Sequence, residues 1–295
     1  MSEVGPDEPT VEPTDERLVE RAVGGDIEAL EALVSRHRPW VYNVAVRMVY
    51  GPDDADDVTQ EVLLKAVTGL AGFRGKSSFR TWLYRIACNH VLNMRRRPAE
   101  EQMVSFSRFA SDLESSPDLD LPDPDTIPVD RGLLVEEAKL GCLTAMLLGL
   151  DRRQRLAYVL SELLGTPSAQ AAELMELSAA NHRQVLSRAR RALHGFMDGT
   201  CGIVRTENRC RCAKKAAGFV AAGHIDPSDV RFARPGTETL ESAAPADLEA
   251  LESRIDHLHR EQHRRTRLME PADPAGALLG FLEDPVVRRT LRLDD

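Results

Sequence analysis

Residues 17–49 read RLVERAVGGDIEALEALVSRHRPWVYNVAVRMV, and the apolar residues return every three or four positions. Leu18, Val19, Ala22, Ile27, Leu30 and Leu33 then share one face of a helix. A helix with a single apolar face must be covered by another element. Gly24-Gly25-Asp26 breaks the pattern as a turn, with Asp26 placed to cap the next helix. Gly51-Pro52 breaks it again, and DDADDVTQEVLLKAVTGL opens on acids that complement a helix macrodipole. Aromatics are only 5% of the chain, which favours helices over sheets. The expected fold class is all-α: two helical domains joined by an acidic linker, followed by a mostly helical C-terminal extension.

At 42% hydrophobic residues the chain can bury a core, and its 295 residues suffice for two or three domains. No apolar run approaches the roughly 18 residues of a membrane span. The N-terminus MSEVGPDEPTVEPTDE is acidic and has no secretory pattern, so the expected location is cytoplasmic. Five cysteines are too few and too unevenly spaced for a disulfide framework.

The predicted boundaries follow composition. Residues 1–15 form a Pro- and Glu-rich disordered tail, and residues 16–98 a first helical domain. Residues 99–132, with Pro117, Pro122, Pro124 and Pro128 among many acids, read as a linker. Residues 133–197 form a second helical domain and residues 198–295 an extension.

The formal net charge is −9, yet FRGKSSFRTWLYRIACNHVLNMRRR, residues 73–97, contains no acid. It divides into a loop and a helix from Thr81. Along that helix Trp82, Arg85, Asn89, Asn93 and Arg96 form a row, while Leu83, Ala87 and Met94 face away. A row of Trp, Arg and Asn offers stacking, charge and hydrogen bonds together, as single-stranded nucleic acid requires. The glycine- and serine-rich loop GLAGFRGKSS beside it can form a pocket for an unstacked base. The competing reading makes Trp82 and Phe79 core anchors.

TPSAQAAELMELSAANHRQVLSRARRALHGF has the grammar of a helix-turn-helix. Thr166 and Pro167 start a first helix that ends near Glu176, and Ser178 caps a second that runs to about His194. His182, Val185, Leu186, Ala189, Ala192 and Leu193 form its apolar face. Arg183, Gln184, Ser187, Arg190 and Arg191 form the other, with Arg188 at the edge. Such a front suits the major groove, where Arg pairs with guanine and Gln with adenine. An ordinary solvated basic helix is the alternative. His182 is expected to be a core histidine with a local partner.

DADDVTQEVLLKA, FRGKSSFRTWLYRIACN, an acidic linker, LDRRQRLAYVLSELLG and LSAANHRQVLSRARRAL stand in an order that resembles bacterial RNA polymerase sigma factors of the sigma-70 family. The type is the small extracytoplasmic-function branch, and the likeness covers residues 16–197. It implies that Asp54, Asp57, Gln60, Glu61 and Leu64 dock on core polymerase. It implies that Phe73, Arg74, Lys76, Ser78, Phe79, Arg80, Trp82, Arg85, Asn89 and Arg96 open and hold the minus-10 element. Arg183, Gln184, Ser187, Arg188 and Arg191 would read the minus-35 element, and the linker would thread toward the active centre. Core RNA polymerase and promoter DNA are the implied partners, with an anti-sigma protein as a further candidate. The chain departs from the family pattern at Gln170, where a glutamate is usual, at His182, where a small aliphatic is usual, and at Val185, where Arg is frequent.

The extension begins TCGIVRTENRCRCAKKAAGFVAAGHID, which resembles a segment in some long members of this branch. Cys201, Cys210 and Cys212 are candidate zinc ligands, with His194 or His224 as a fourth. Lys214, Lys215 and Arg211 would lower thiol pKa values, which favours a redox switch instead. Buried structural cysteines are the third reading. Leu248, Leu251, Ile255 and Leu258 suggest a further helix packed on the chain. No nucleophile with a base, phosphate loop or carboxylate pair is apparent, so no catalysis and no required cofactor are expected. A free-standing helix-turn-helix regulator is the runner-up to a sigma factor; it would need neither the DADDVTQE face nor the Trp82 row.

Overall fold

The computed structural model describes residues 12–103, 105–120, 130–233 and 260. Among these every regular element is helical. Helix α1 (Asp15–Val23) starts where the Thr14 hydroxyl accepts the Arg17 N–H, and α2 (Ile27–Val49) where Asp26 accepts the Ala29 N–H. Helix α3 (Pro52–Gly69) has proline at its first position, where the missing N–H costs nothing. Helix α4 (Phe79–Asn93) is capped by Ser78. Leu18, Leu30, Met48 and Leu83 are fully buried between them, each stabilising the fold by about 1.5–3 kcal/mol.

The segment read as a linker is partly helical. It holds α5 (Pro98–Gln102) and α6 (Phe106–Ser115). Phe106 stacks on Phe196 and Phe109 meets the same ring at a tilt, with centroids 5.0 and 5.4 Å apart, and Leu113 is buried. The spacing Phe106, Phe109, Leu113 was the helical signal, obscured by the prolines and acids that follow it.

The second half contains α7 (Arg131–Leu147) and α8 (Arg152–Tyr158), which runs into a π turn at Val159–Leu163. Helices α9 (Ser168–Leu174) and α10 (Ala179–Thr200) form the helix-turn-helix. Ser178 caps α10 as the sequence predicts, but α10 continues six residues past His194. Pro167 is the cap residue of α9, one position later than the sequence suggested.

The halves pack on each other through charge as well as apolar surface. Glu100 accepts from Arg152 at 2.7 Å and from Arg155 at 2.9 Å. Arg155, 3% exposed, also donates to the Leu147 and Leu150 carbonyls at 3.0 and 3.1 Å and to that of Met48. A buried guanidinium is tolerated here because its donors are met.

Within the extension, α11 (Cys212–Ala221) packs on α7, burying Ala216 and Ala217 against Leu134 and Ala138. Further on, the Glu137 carboxylate accepts the backbone N–H groups of Arg231, Phe232 and Ala233 at 2.9, 2.7 and 2.7 Å. Phe232 thereby lies against Tyr50, with ring centroids 5.6 Å apart. The leucine-patterned helix at 248–258 and the N-terminal tail before residue 12 lie outside the described residues.

Candidate nucleic-acid interface

Helix α10 presents its polar face to solvent. Arg183, Gln184, Ser187, Arg188 and Arg191 are all exposed, while Leu186, Ala189 and Leu193 are buried behind them. His182 is fully buried between the hydroxyls of Ser161 and Ser168, each at 3.3 Å, and burial pushes its pKa down. It is the core histidine that the sequence suggests. Arg190 turns back to pair with Glu162 instead of joining that face.

The α4 row is arranged differently. Trp82, Arg85 and Asn89 are half-buried, and Asn93 and Arg96 are exposed. Arg85 donates to Glu173 at 2.9 Å and Asn89 to Glu176 at 3.2 Å, so α9 lies across the row. Beside it, an open groove of ≈ 510 Å³ is lined by Lys65, Gly69, Trp82, Ile86, Asn89, His90, Asn93 and Met94. Met94, expected to face away, borders that groove. Lys65 donates to His90 Nδ1 at 2.6 Å, and burial with the Lys65 charge pushes the His90 pKa down.

Phe79 departs from the melting role that the sequence suggested. It is 4% exposed and meets His37 and Phe73 edge to ring, with centroids 5.5 and 5.9 Å apart. A ring held in the core cannot stack on a base, so Phe79 is an anchor. Phe73 is half-buried against it and Trp82. Arg74, Lys76, Ser78 and Arg80 are exposed, and Arg80 lies over the Tyr84 ring at 5.3 Å. On α3, Asp57, Gln60 and Glu61 are exposed and Asp54 and Leu64 half-buried. Arg97 reaches this face, 3.2 Å from Glu61, 3.7 Å from Asp54 and 3.9 Å from Asp57. No sequence pattern predicts that contact, which joins residues 36 positions apart.

The sigma-70 region 2 family matches residues 33–100, and the sigma-70, region 4 family matches residues 140–193. RNA polymerase sigma-H factor of Pseudomonas aeruginosa is 31% identical over 61% of this chain and 91% of its own length. ECF RNA polymerase sigma-E factor of Escherichia coli is 33% identical over 61% of this chain and 92% of its own. This chain belongs to the extracytoplasmic-function branch of the sigma-70 family. A solved structure of CnrH in complex with the cytosolic domain of CnrY is also similar, at 25% identity and a TM-score of 0.40, over 62% of this chain and 97% of that one. The region 2 match takes in α4 with its row, and the region 4 match takes in α9 and most of α10. An RNA polymerase sigma factor is what the two halves constitute, and residues beyond 200 are additional to both matches.

Among the described residues no group of three or more His, Cys, Asp and Glu side chains is placed to hold an ion. Cys201 is buried, and Cys210 and Cys212 are half-buried. Cys142 on α7 is the fourth member of the group, which sequence reasoning missed because it lies 59 positions before Cys201. Burial pushes the Cys142 thiol well up, and the neighbouring Cys201, Cys212 and Cys210 add to it. Burial also pushes Cys210 up, outweighing Lys215 and Arg211, so the expected activation by basic neighbours is reversed there. Among the described residues no helix is long and apolar enough to cross a membrane.

Proposed function

We propose that this sigma factor meets promoter DNA through two surfaces that are not equally available in the free protein. The exposed Arg183, Gln184, Ser187, Arg188 and Arg191 face of α10 reads the minus-35 element in the major groove. The Trp82, Arg85, Asn89, Asn93 and Arg96 row, with Phe73, Arg74, Lys76 and Arg80 beside it, holds the opened minus-10 strand. The α3 face of Asp54, Asp57, Gln60, Glu61 and Leu64 docks on core polymerase, displacing Arg97 from the carboxylates. The linker passes into the polymerase, and the extension modulates the activity in place of, or alongside, a separate anti-sigma protein. No catalytic step, metal or cofactor is assigned to the chain.

The observation that carries this reading is the engagement of Arg85 and Asn89 by Glu173 and Glu176. Two groups suited to DNA are held by two carboxylates from the other half, which mimic the charge of a strand. A net-negative chain with its basic row closed binds DNA poorly alone and gains it when polymerase separates the halves. Run-off transcription from genomic fragments, with core polymerase and with or without the protein, tests it. Initiation only on addition supports the assignment. Tight duplex binding without polymerase, and no initiation, would instead indicate a free-standing regulator.

A further inference from the structure

Lysine occurs only at positions 65, 76, 139, 214 and 215, so two of the chain's few lysines are adjacent in the extension. They lie in the first turn of α11, where positive charge opposes the helix macrodipole. That placement needs compensation, and the acidic start of the linker supplies it. Lys215, 7% exposed, donates to the Ser116 carbonyl at 2.6 Å and pairs with Asp118 at 3.0 Å. Lys214 pairs with Asp120, and the Leu119 N–H points to the Lys214 carbonyl at 3.4 Å. Gly218 completes the seat. A Cβ there would lie 2.5 Å from the Pro117 carbonyl oxygen and 3.1 Å from Ser116 Oγ. Backbone approaches helix at a distance that only glycine permits.

We infer that the Lys214–Lys215–Gly218 face of α11 is an intramolecular receptor for the acidic linker segment Ser116–Asp120. The receptor is itself fixed to α7 through Ala216 and Ala217. Occupying it anchors the linker to the second domain and removes about 17 Å of extended reach from the connection, at roughly 3.4 Å per residue. The two domains are thereby held near each other, which keeps α9 over the α4 row. Core polymerase must take the linker from α11 before the halves can spread, so the receptor competes with polymerase for one acidic strand. This last consequence rests on the sigma-factor reading of the linker; the receptor does not.

Hydrogen–deuterium exchange of the free, full-length protein tests the receptor. Amides at 116–120 exchange slowly in the wild type, and about tenfold faster in a Lys214→Glu/Lys215→Glu variant and in Gly218→Ala, which changes no charge. Adding Asp118→Lys/Asp120→Lys to the first variant restores protection if charge pairing is the cause, and thermal melting checks that each variant is folded. Unchanged exchange in both receptor variants overturns the receptor. In run-off transcription the receptor variants reach half-maximal initiation at about tenfold lower protein concentration, because the linker no longer has to be released first. Faster exchange with an unchanged titration overturns the competition while leaving the receptor. A wild type that gives no initiation refutes the sigma-factor reading, and the exchange result still decides the receptor.

Discussion

The Arg85 guanidinium donates to the Glu173 carboxylate at 2.9 Å across 88 residues of sequence. Three residues later, in the turn that follows α9, the backbone of Glu176 is left-handed, with φ 53, a conformation that glycine adopts more readily. Its carboxylate accepts from Asn89. The turn of the helix-turn-helix thus carries a strained residue whose side chain closes the row on the other domain.

Opening that contact exposes the row. Glu173→Ala with Glu176→Gly should raise affinity of the free protein for a single-stranded oligonucleotide. The Arg85 pair is partly exposed, at 36% and 53%, so it contributes only about 0.2–1 kcal/mol. A gain of about twofold to fivefold is expected, read by fluorescence anisotropy at low salt. Glu176→Gly alone should leave the turn as stable as before or slightly more so.

The row itself is tested on polymerase. Trp82→Ala with Arg85→Ala should lower open-complex formation about tenfold to a hundredfold, since each stacked base is worth roughly 1–3 kcal/mol. Permanganate reactivity of minus-10 thymines measures opening directly. Normal reactivity would return Trp82 to the role Phe79 already has, as a core anchor.

On α10, Arg183→Ala or Gln184→Ala should cost about 1–3 kcal/mol at a promoter where the side chain meets a base. Discrimination at that one minus-35 position should relax. Run-off transcription from single-base promoter variants gives the position. Loss that is uniform across sequences would assign the residue to phosphate contacts.

Glu100 sits at the charged centre of the domain interface, 4% exposed. Glu100→Ala leaves Arg155 buried without its carboxylate and should destabilise the chain by about 3 kcal/mol, read by urea unfolding. Asp57→Asn, on the exposed face of α3, should change stability by less than about 1 kcal/mol in the same assay.

Acid should weaken the fold in two stages. Burial first holds the pKa of His37 below its ordinary 6.5, and likewise those of His90 and His182. The unfolded chain then binds protons before the folded one does, so stability falls as pH drops below about 6.5. Burial raises the Glu100 pKa, but the Arg152 hydrogen bond and the Arg155 charge outweigh it and hold the group below its ordinary 4.5. Its contribution is present above that pH and is lost as pH falls further. Thermal melts at pH 8, 6, 5 and 4 should decline in that order, and a melting temperature unchanged between pH 8 and 5 would refute the histidine stage.

Periodicity and capping chemistry made α1 to α4, α9 and α10 legible from sequence. Asp26, Ser78 and Ser178 each sit where their side chain accepts a backbone N–H of the next turn, and that relation spans three residues. The exposed face of α10 was legible for the same reason, because one helix's periodicity separates its front from its back. What tertiary structure alone decided lies between elements far apart in the chain. Phe79 and Trp82 are three residues apart and equally aromatic, yet packing against His37 buries the first and leaves the second beside an open groove. Glu173 on Arg85, Arg97 on Glu61 and Lys215 on Asp118 join residues separated by 88, 36 and about a hundred positions. No local pattern encodes such pairings, because a charge is solvated equally well alone until the folded chain brings its partner close.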